Sequence, residues 1–269
     1  PVSTVSSNGR PTTAAPPIAD VVPAGVGSLR ELLLPPLRLA DHPGLVVVPV
    51  KELHQVPWAA LHTRPVALAP SASMWARSSR ADPPPNTRVV LAAGPELPGA
   101  AHEVTELARH LDGATVLAPP DSTVESVTKA LDEASLAHLA CHCFVRADNP
   151  TFSSLLLSDG YLTVHELDQR ADVPHRVILA ACESGKDVTY EGNEVLGFVS
   201  TLMGKGCAGV IASSVVVPDQ DVLPLMRAVH QEVAKGATLA QSLHAAQSAT
   251  DFDDPRSIVA AWAFNAFGA

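Results

Sequence analysis

The chain has 269 residues, 46% of them hydrophobic, and a formal net charge of −10, a balance that suits one large globular domain or two small ones. Its carboxylates are scattered and no basic stripe is present, which argues against direct binding of nucleic acid. No apolar run reaches membrane-spanning length. Four cysteines, Cys141, Cys143, Cys182 and Cys207, are too few for a disulfide framework and point to reduced thiols in a cytoplasm.

Residues 1–27 are rich in Pro, Ser, Thr and Ala without a periodic apolar pattern. They read as a linker or tail, with a further domain expected upstream. The same stretch lacks the charged start and apolar core of an export signal. Residues 28–269 read as one domain. Within it, a cluster of breakers, "SSRADPPPNTR" from Ser78, divides a front section, 28–87, from a catalytic section, 88–269.

After that loop, short apolar runs alternate with helical patterns: "RVVLAAG" from Arg88, "HEVTELARHLDG" from His102, "ATVLAP" from Ala114, "STVESVTKALDEA" from Ser122 and "SLAHLACH" from Ser135. This rhythm predicts an α/β fold with a parallel sheet covered by helices. Ser122 and Glu125 have capping-box spacing. Gly113 stands where the preceding helix should stop. In "LLLSDGYLT" the pair Asp159-Gly160, flanked by apolar residues, predicts a hairpin. The runs "HRVILAAC" from His175 and "AGVIASS" from Ala208 read as further strands. Between them, Val195, Phe198, Val199 and Leu202 lie at helical spacing.

Chemistry centres on Cys141-His142-Cys143, just past an apolar strand. Buried packing is the simplest reading of Cys141. Zinc is disfavoured, because no second ligand pair stands at suitable spacing. A catalytic thiol needs a nearby imidazole. Cys182 ends the predicted strand in "ILAACESG", and His142 ends another forty positions upstream. Functional groups of open α/β sheets gather at the carboxyl ends of strands, so adjacent parallel strands would bring the two to one rim. His before Cys is also the caspase-type order. His138 reads as a packed strand residue, and His165 and His175 as solvated loop residues. His110 and His230 have no identifiable nucleophile partner. "GKGCAG" from Gly204 fits G-x-G-x-x-G but follows a helix and precedes a strand, the wrong context for a dinucleotide.

At these residues the chain resembles the CHAT family, caspase-like proteins associated with TPR repeats and related to caspases, separases and other clan CD peptidases. The matching segments run in family order: "LVVVPVKELHQVPWAAL", "LAPSASMW", "LPGAAHEVTEL", "ALDEASLAHLACH", "SSLLLSDGYLTVHEL", "VILAACESG", "EVLGFVSTLMGKGCAGVIASS", "VPDQD" and "AAWAFNAFG". They extend from about Ser28 to Phe267. The resemblance implies a caspase-like, mostly parallel sheet with helices on both faces, and cysteine endopeptidase chemistry. It puts the catalytic histidine at His142 and the nucleophile at Cys182. It also implies oxyanion donors at the backbone N–H groups of Cys143 and Cys182, a substrate-binding carboxylate at Asp219, and no metal or organic cofactor.

The partners implied are a protein substrate, gasdermin-like proteins being among the family's targets, and an upstream TPR or other sensor module in bacterial defence or signalling. Cys143 stands where the family usually has Gly, and a conformation that only Gly tolerates would be lost or strained there. Val215 or Val216 replaces a usual tryptophan. A catalytically inactive caspase-like scaffold is therefore the competing function, and a thiol redox or metal sensor using Cys141, Cys143 and Cys182 a third.

Overall fold

The computed structural model describes residues 18–34, 42–50, 53–54, 56–132, 134–144, 146, 149–180, 195–213, 217, 221–251 and 254–269. The front of the chain forms α1 (Ile18–Leu33), β1 (Leu45–Val47), α2 (Trp58–Leu61), β2 (Val66–Leu68) and α3 (Ala72–Ser78). The middle forms β3 (Val89–Ala93), α4 (Pro98–Ala108), β4 (Thr115–Leu117), α5 (Val124–Leu131), β5 (Leu136–Ala140), β6 (Cys143–Phe144), β7 (Ser154–Leu157), β8 (Gly160–Thr163) and α6 (Val164–Gln169). The remainder forms β9 (Arg176–Leu179), α7 (Val195–Gly204), β10 (Gly209–Ser213), α8 (Leu223–Ala234), α9 (Leu239–Ser248), α10 (Pro255–Ala263) and β11 (Phe264–Gly268).

An eight-stranded sheet runs in the order β1-β2-β11-β10-β9-β5-β3-β4. Every pairing in it is parallel except β10 with β11. The front section therefore contributes β1 and β2 to the same sheet as the rest of the chain. The central strands are continuous apolar runs because both of their faces are covered. Val90, Ala92, Ala137, Leu139, Val177 and Leu179 point into one core, shared with α5, α6 and α7. Leu91, Ala93, Leu136, Ala140, Ile178 and Ala180 point into the other, shared with α4, α8 and α9. Full burial of side chains such as Leu91 and Ile178 contributes about 1.5–3 kcal/mol each.

Helix α1 overlaps the end of the stretch read from sequence as a tail. Val26 is buried in the core, Leu29 and Leu33 pack beside it, and Arg30 donates to the carbonyls of Ala60 and Leu61. The cap of α5 also differs from expectation. Thr123, not Ser122, is its N-cap, accepting from Ser126 N–H. Ser122 instead bonds Ser158 Oγ at 2.8 Å. Gly113, at φ +73°, does take the left-handed conformation expected after α4.

A second, three-stranded antiparallel sheet joins β6, β7 and β8. Its hairpin pairs Leu157 with Gly160 across a two-residue turn, Ser158-Asp159. Leu155, Leu157 and Leu162 point inward, while Tyr161 is exposed. The turn is pinned to α5, since Asp159 Oδ1 accepts from Val124 N–H at 2.7 Å. A carboxylate placed at a helix N-terminus is favoured by the orphan N–H groups and the helix dipole.

Candidate active site

His142 lies just beyond the carboxyl end of β5, and two backbone hydrogen bonds hold this turn in place. Ala140 O accepts from Gly94 N–H at 2.8 Å, and His142 O accepts from Leu156 N–H at 2.9 Å. Gly94 packs so closely that a Cβ there would stand 2.6 Å from both Cys141 Cβ and Leu156 O. Only glycine lets the end of β3, the turn at Cys141 and β7 meet at this distance. The closing glycine of "RVVLAAG" is the trace of this contact in the sequence.

The imidazole of His142 is buried, with 5% of the residue exposed, and its ring centroid is 6.3 Å from that of Phe144. Phe144 in turn meets Tyr161 edge-on at 5.6 Å. Phe144 and Tyr161 are both exposed, so the histidine sits beside an apolar, aromatic surface.

Cys143 opposes Leu155 in the β6–β7 ladder. In antiparallel ladders hydrogen-bonded and non-bonded pairs alternate. His142 O is bonded to Leu156 N–H, so the Cys143–Leu155 pair is the non-bonded kind. That directs Cys143 N–H to the side of β6 away from β7. Among the described non-glycine residues only Glu96 has a positive φ. The strain expected from cysteine in a glycine position is therefore absent: Cys143 has ordinary strand backbone.

Strand β9 lies directly beside β5, parallel to it, with Leu136 opposite Arg176 and Leu139 opposite Leu179. The register thus offsets the strands by forty positions, the interval that also separates His142 from Cys182 in the sequence. Cys182 and Asp219, like Val215 and Val216, lie outside the described residues. Cys141 is buried in the core, as its packing role requires. Cys207 is sealed away: burial pushes its thiol up to about 12, and Sγ donates to Gly209 O at 3.1 Å.

The other histidines divide in ways the sequence did not show. His165 is exposed on α6 rather than on a loop, and lines a cavity of about 760 Å³ with Asp132 and Arg170. His175 is half-buried, and burial together with the adjacent Arg176 charge lowers its pKa. His138 is packed as expected, but against Glu103 and His230. No group of three or more His, Cys, Asp or Glu able to hold a metal occurs among the described residues. Nor does any helix among them have the length and apolarity to cross a membrane.

The sequence profile of the CHAT domain matches residues 26–269. The chain belongs to the CHAT domain family. No curated protein matches it in sequence. Among solved structures it is similar to a chain of the Saccharomyces cerevisiae separase–securin complex at 3.0 Å, with a TM-score of 0.59 and 14% identity over 83% of this chain and 15% of that one. The same complex at 2.6 Å gives a TM-score of 0.59 and 13% identity, again over 83% and 15%. The Arg-specific cysteine proteinase gingipain R follows, with a TM-score of 0.49 and 12% identity over 76% of this chain and 54% of that one. The CHAT domain therefore spans a small part of the separase-complex chain and shares its fold, a caspase-like α/β architecture of the peptidase type.

Proposed function

We propose that this CHAT domain is a cysteine endopeptidase whose dyad is His142 and Cys182. The observation that carries the reading is the parallel adjacency of β5 and β9, with His142 immediately past the end of β5 and Cys182 shortly past the end of β9 in sequence. Carboxyl ends of neighbouring parallel strands form a shared rim, where α/β proteins gather reacting groups.

The Cys182 thiolate attacks the scissile carbonyl carbon, forming a C–S bond and an oxyanion. Backbone N–H groups of Cys143 and Cys182 stabilise that oxyanion, each such donor being worth about 10²–10³ in rate. The direction of Cys143 N–H away from β7 supports its part. Collapse of the intermediate breaks the C–N bond, with His142 giving its proton to the leaving amine. His142 then takes a proton from water, which attacks the thioester and releases the acyl product and the thiol.

Phe144 and Tyr161 offer an apolar wall to substrate side chains, and Asp219 a carboxylate for a basic residue at the cut. The substrate class is a protein, gasdermin-like proteins being one candidate, in a bacterial cytoplasm. An upstream TPR or other sensor module controls the activity in defence or signalling. The alternative is a catalytically inactive caspase-like scaffold, in which the backbone conformation that glycine would give at position 143 is lost to the ordinary strand backbone of Cys143. Cleavage of a diverse peptide library by this chain and by Cys182→Ala, read by mass spectrometry, tests the reading. Cuts that vanish with the substitution are expected, and cuts that persist would overturn the dyad.

A further inference from the structure

Among the described residues, the exposed aromatic side chains are Phe144, Phe152 and Tyr161, and all three belong to the segment that follows His142. Single apolar side chains in water are ordinary, but a contiguous group of them marks a binding surface. Two of the three are held as a pair by the small sheet. Cys143, Leu155, Leu157 and Leu162 point into the core. Side chains alternate along a strand, so the opposite face carries Phe144 on β6, Leu156 on β7 and Tyr161 on β8.

Leu156 stands opposite Tyr161, and its N–H bonds His142 O, which places His142, Leu156 and Tyr161 in one row across the sheet. Phe144 is two residues beyond His142 and lies on the same side of the chain, its ring centroid 6.3 Å from that of the imidazole and the ring planes tilted by 42°. Tyr161 meets it edge-on at 5.6 Å, within the range of favourable aromatic pairs. Ser154 and Thr163, which share the row of Phe144, carry no charge.

In the cleavage proposed above, on which this inference rests, His142 protonates the leaving amine. That nitrogen must come within hydrogen-bond reach of the imidazole, about 2.6–3.2 Å. The side chain of its residue begins only two bonds further on. It therefore falls on the surface beside the imidazole, where Phe144 stands with Tyr161 against it. We propose that Phe144 and Tyr161 form the subsite for the first residue on the carboxyl side of the cut and select a large apolar side chain there. The residue on the amino side of the cut stays with the acyl group on Cys182 and is selected separately.

Two peptides built on one sequence cleaved in the library, with Leu or Asn directly after the cut, are matched in size and differ in polarity. The full chain should cleave the Leu peptide with kcat/KM about tenfold above the Asn peptide, at the lower end of what an apolar subsite discriminates. Phe144→Ala should bring that ratio to within about threefold of parity. Tyr161→Ala should lower it by a smaller factor, and Tyr161→Phe should keep it. Both rings are exposed, so these substitutions leave the fold intact, and a general loss of structure would slow both peptides alike without changing the ratio. Cuts that need Cys182 but show no preference between Leu and Asn, or a preference that Phe144→Ala leaves intact, would overturn the subsite alone. Cuts that persist in Cys182→Ala would overturn the dyad and the subsite with it, as would the absence of cleavage by the wild type.

Discussion

His138 and His142 lie four positions apart on one strand path, and both are buried, yet their surroundings differ in kind. His138 sits inside β5, where the sheet is covered on both faces, and its two nitrogens face groups of the protein itself, Glu103 and His230. His142 lies past the end of the strand, beside the exposed aromatic pair Phe144 and Tyr161. The same side chain thus acts as internal packing in one place and, in the proposed reading, as the catalytic histidine in the other. Position relative to the strand end decides which.

The largest expected effect sharpens this contrast. His142→Ala should lower peptide cleavage per folded molecule by about 10²–10⁴, the usual worth of a positioned acid and base, far more than any loss of folded protein explains. The reverse is expected at the inner histidine. His138→Ala leaves buried Glu103 and His230 without their partner and should cost about 2–4 kcal/mol in urea unfolding, with cleavage by the folded fraction largely preserved. If the two variants exchanged these signatures, the assignment of roles would be wrong.

Gly94 lies between the two histidines, bonded to Ala140 O and pressed against Cys141. Gly94→Ala forces a Cβ against Cys141 Cβ and the Leu156 carbonyl and should cost about 1–3 kcal/mol. Because Leu156 holds His142 O, cleavage should fall further than the lost stability explains, which activity per folded molecule would reveal.

A smaller effect distinguishes the enclosed cluster by pH. His230 has a lowered pKa in the fold, from burial first and the His138 charge second, against an ordinary value of 6.5. Below pH 6.5 the unfolded chain therefore binds a proton that the folded one resists. The associated stability is present above that pH and is lost as pH falls towards the folded value. Unfolding free energies between pH 7 and 5 should decline less steeply in His230→Phe than in the wild type, and equal slopes would contradict the cluster's role.

Much of this was legible in the sequence. Strands buried on both faces announce themselves as unbroken apolar runs, so β3, β5, β9 and β10 were found by that property alone. The spacing of Phe198, Val199 and Leu202 gave α7, and all three are buried. Other features depend on contacts that no local pattern contains. Ser122 is bound to Ser158 across space, which left Thr123 to cap α5. Pro23, Gly25 and Gly27 obscured α1, whose packing of Val26 and Leu29 against the core is tertiary. The cluster of Glu103, His138 and His230 draws one residue from each of three distant elements. His142 was identified from its place at a strand end and from family likeness together, while Cys182 and Asp219 rest on the sequence.

The most direct test of the central claim is mass-spectrometric mapping of the cysteine modified by a peptide acyloxymethyl ketone, which alkylates an activated thiolate, in the wild type and in His142→Ala. Modification confined to Cys182 and slowed at least about tenfold without His142 is the predicted result. Modification spread over Cys141 and Cys143, or equally fast without His142, would contradict it.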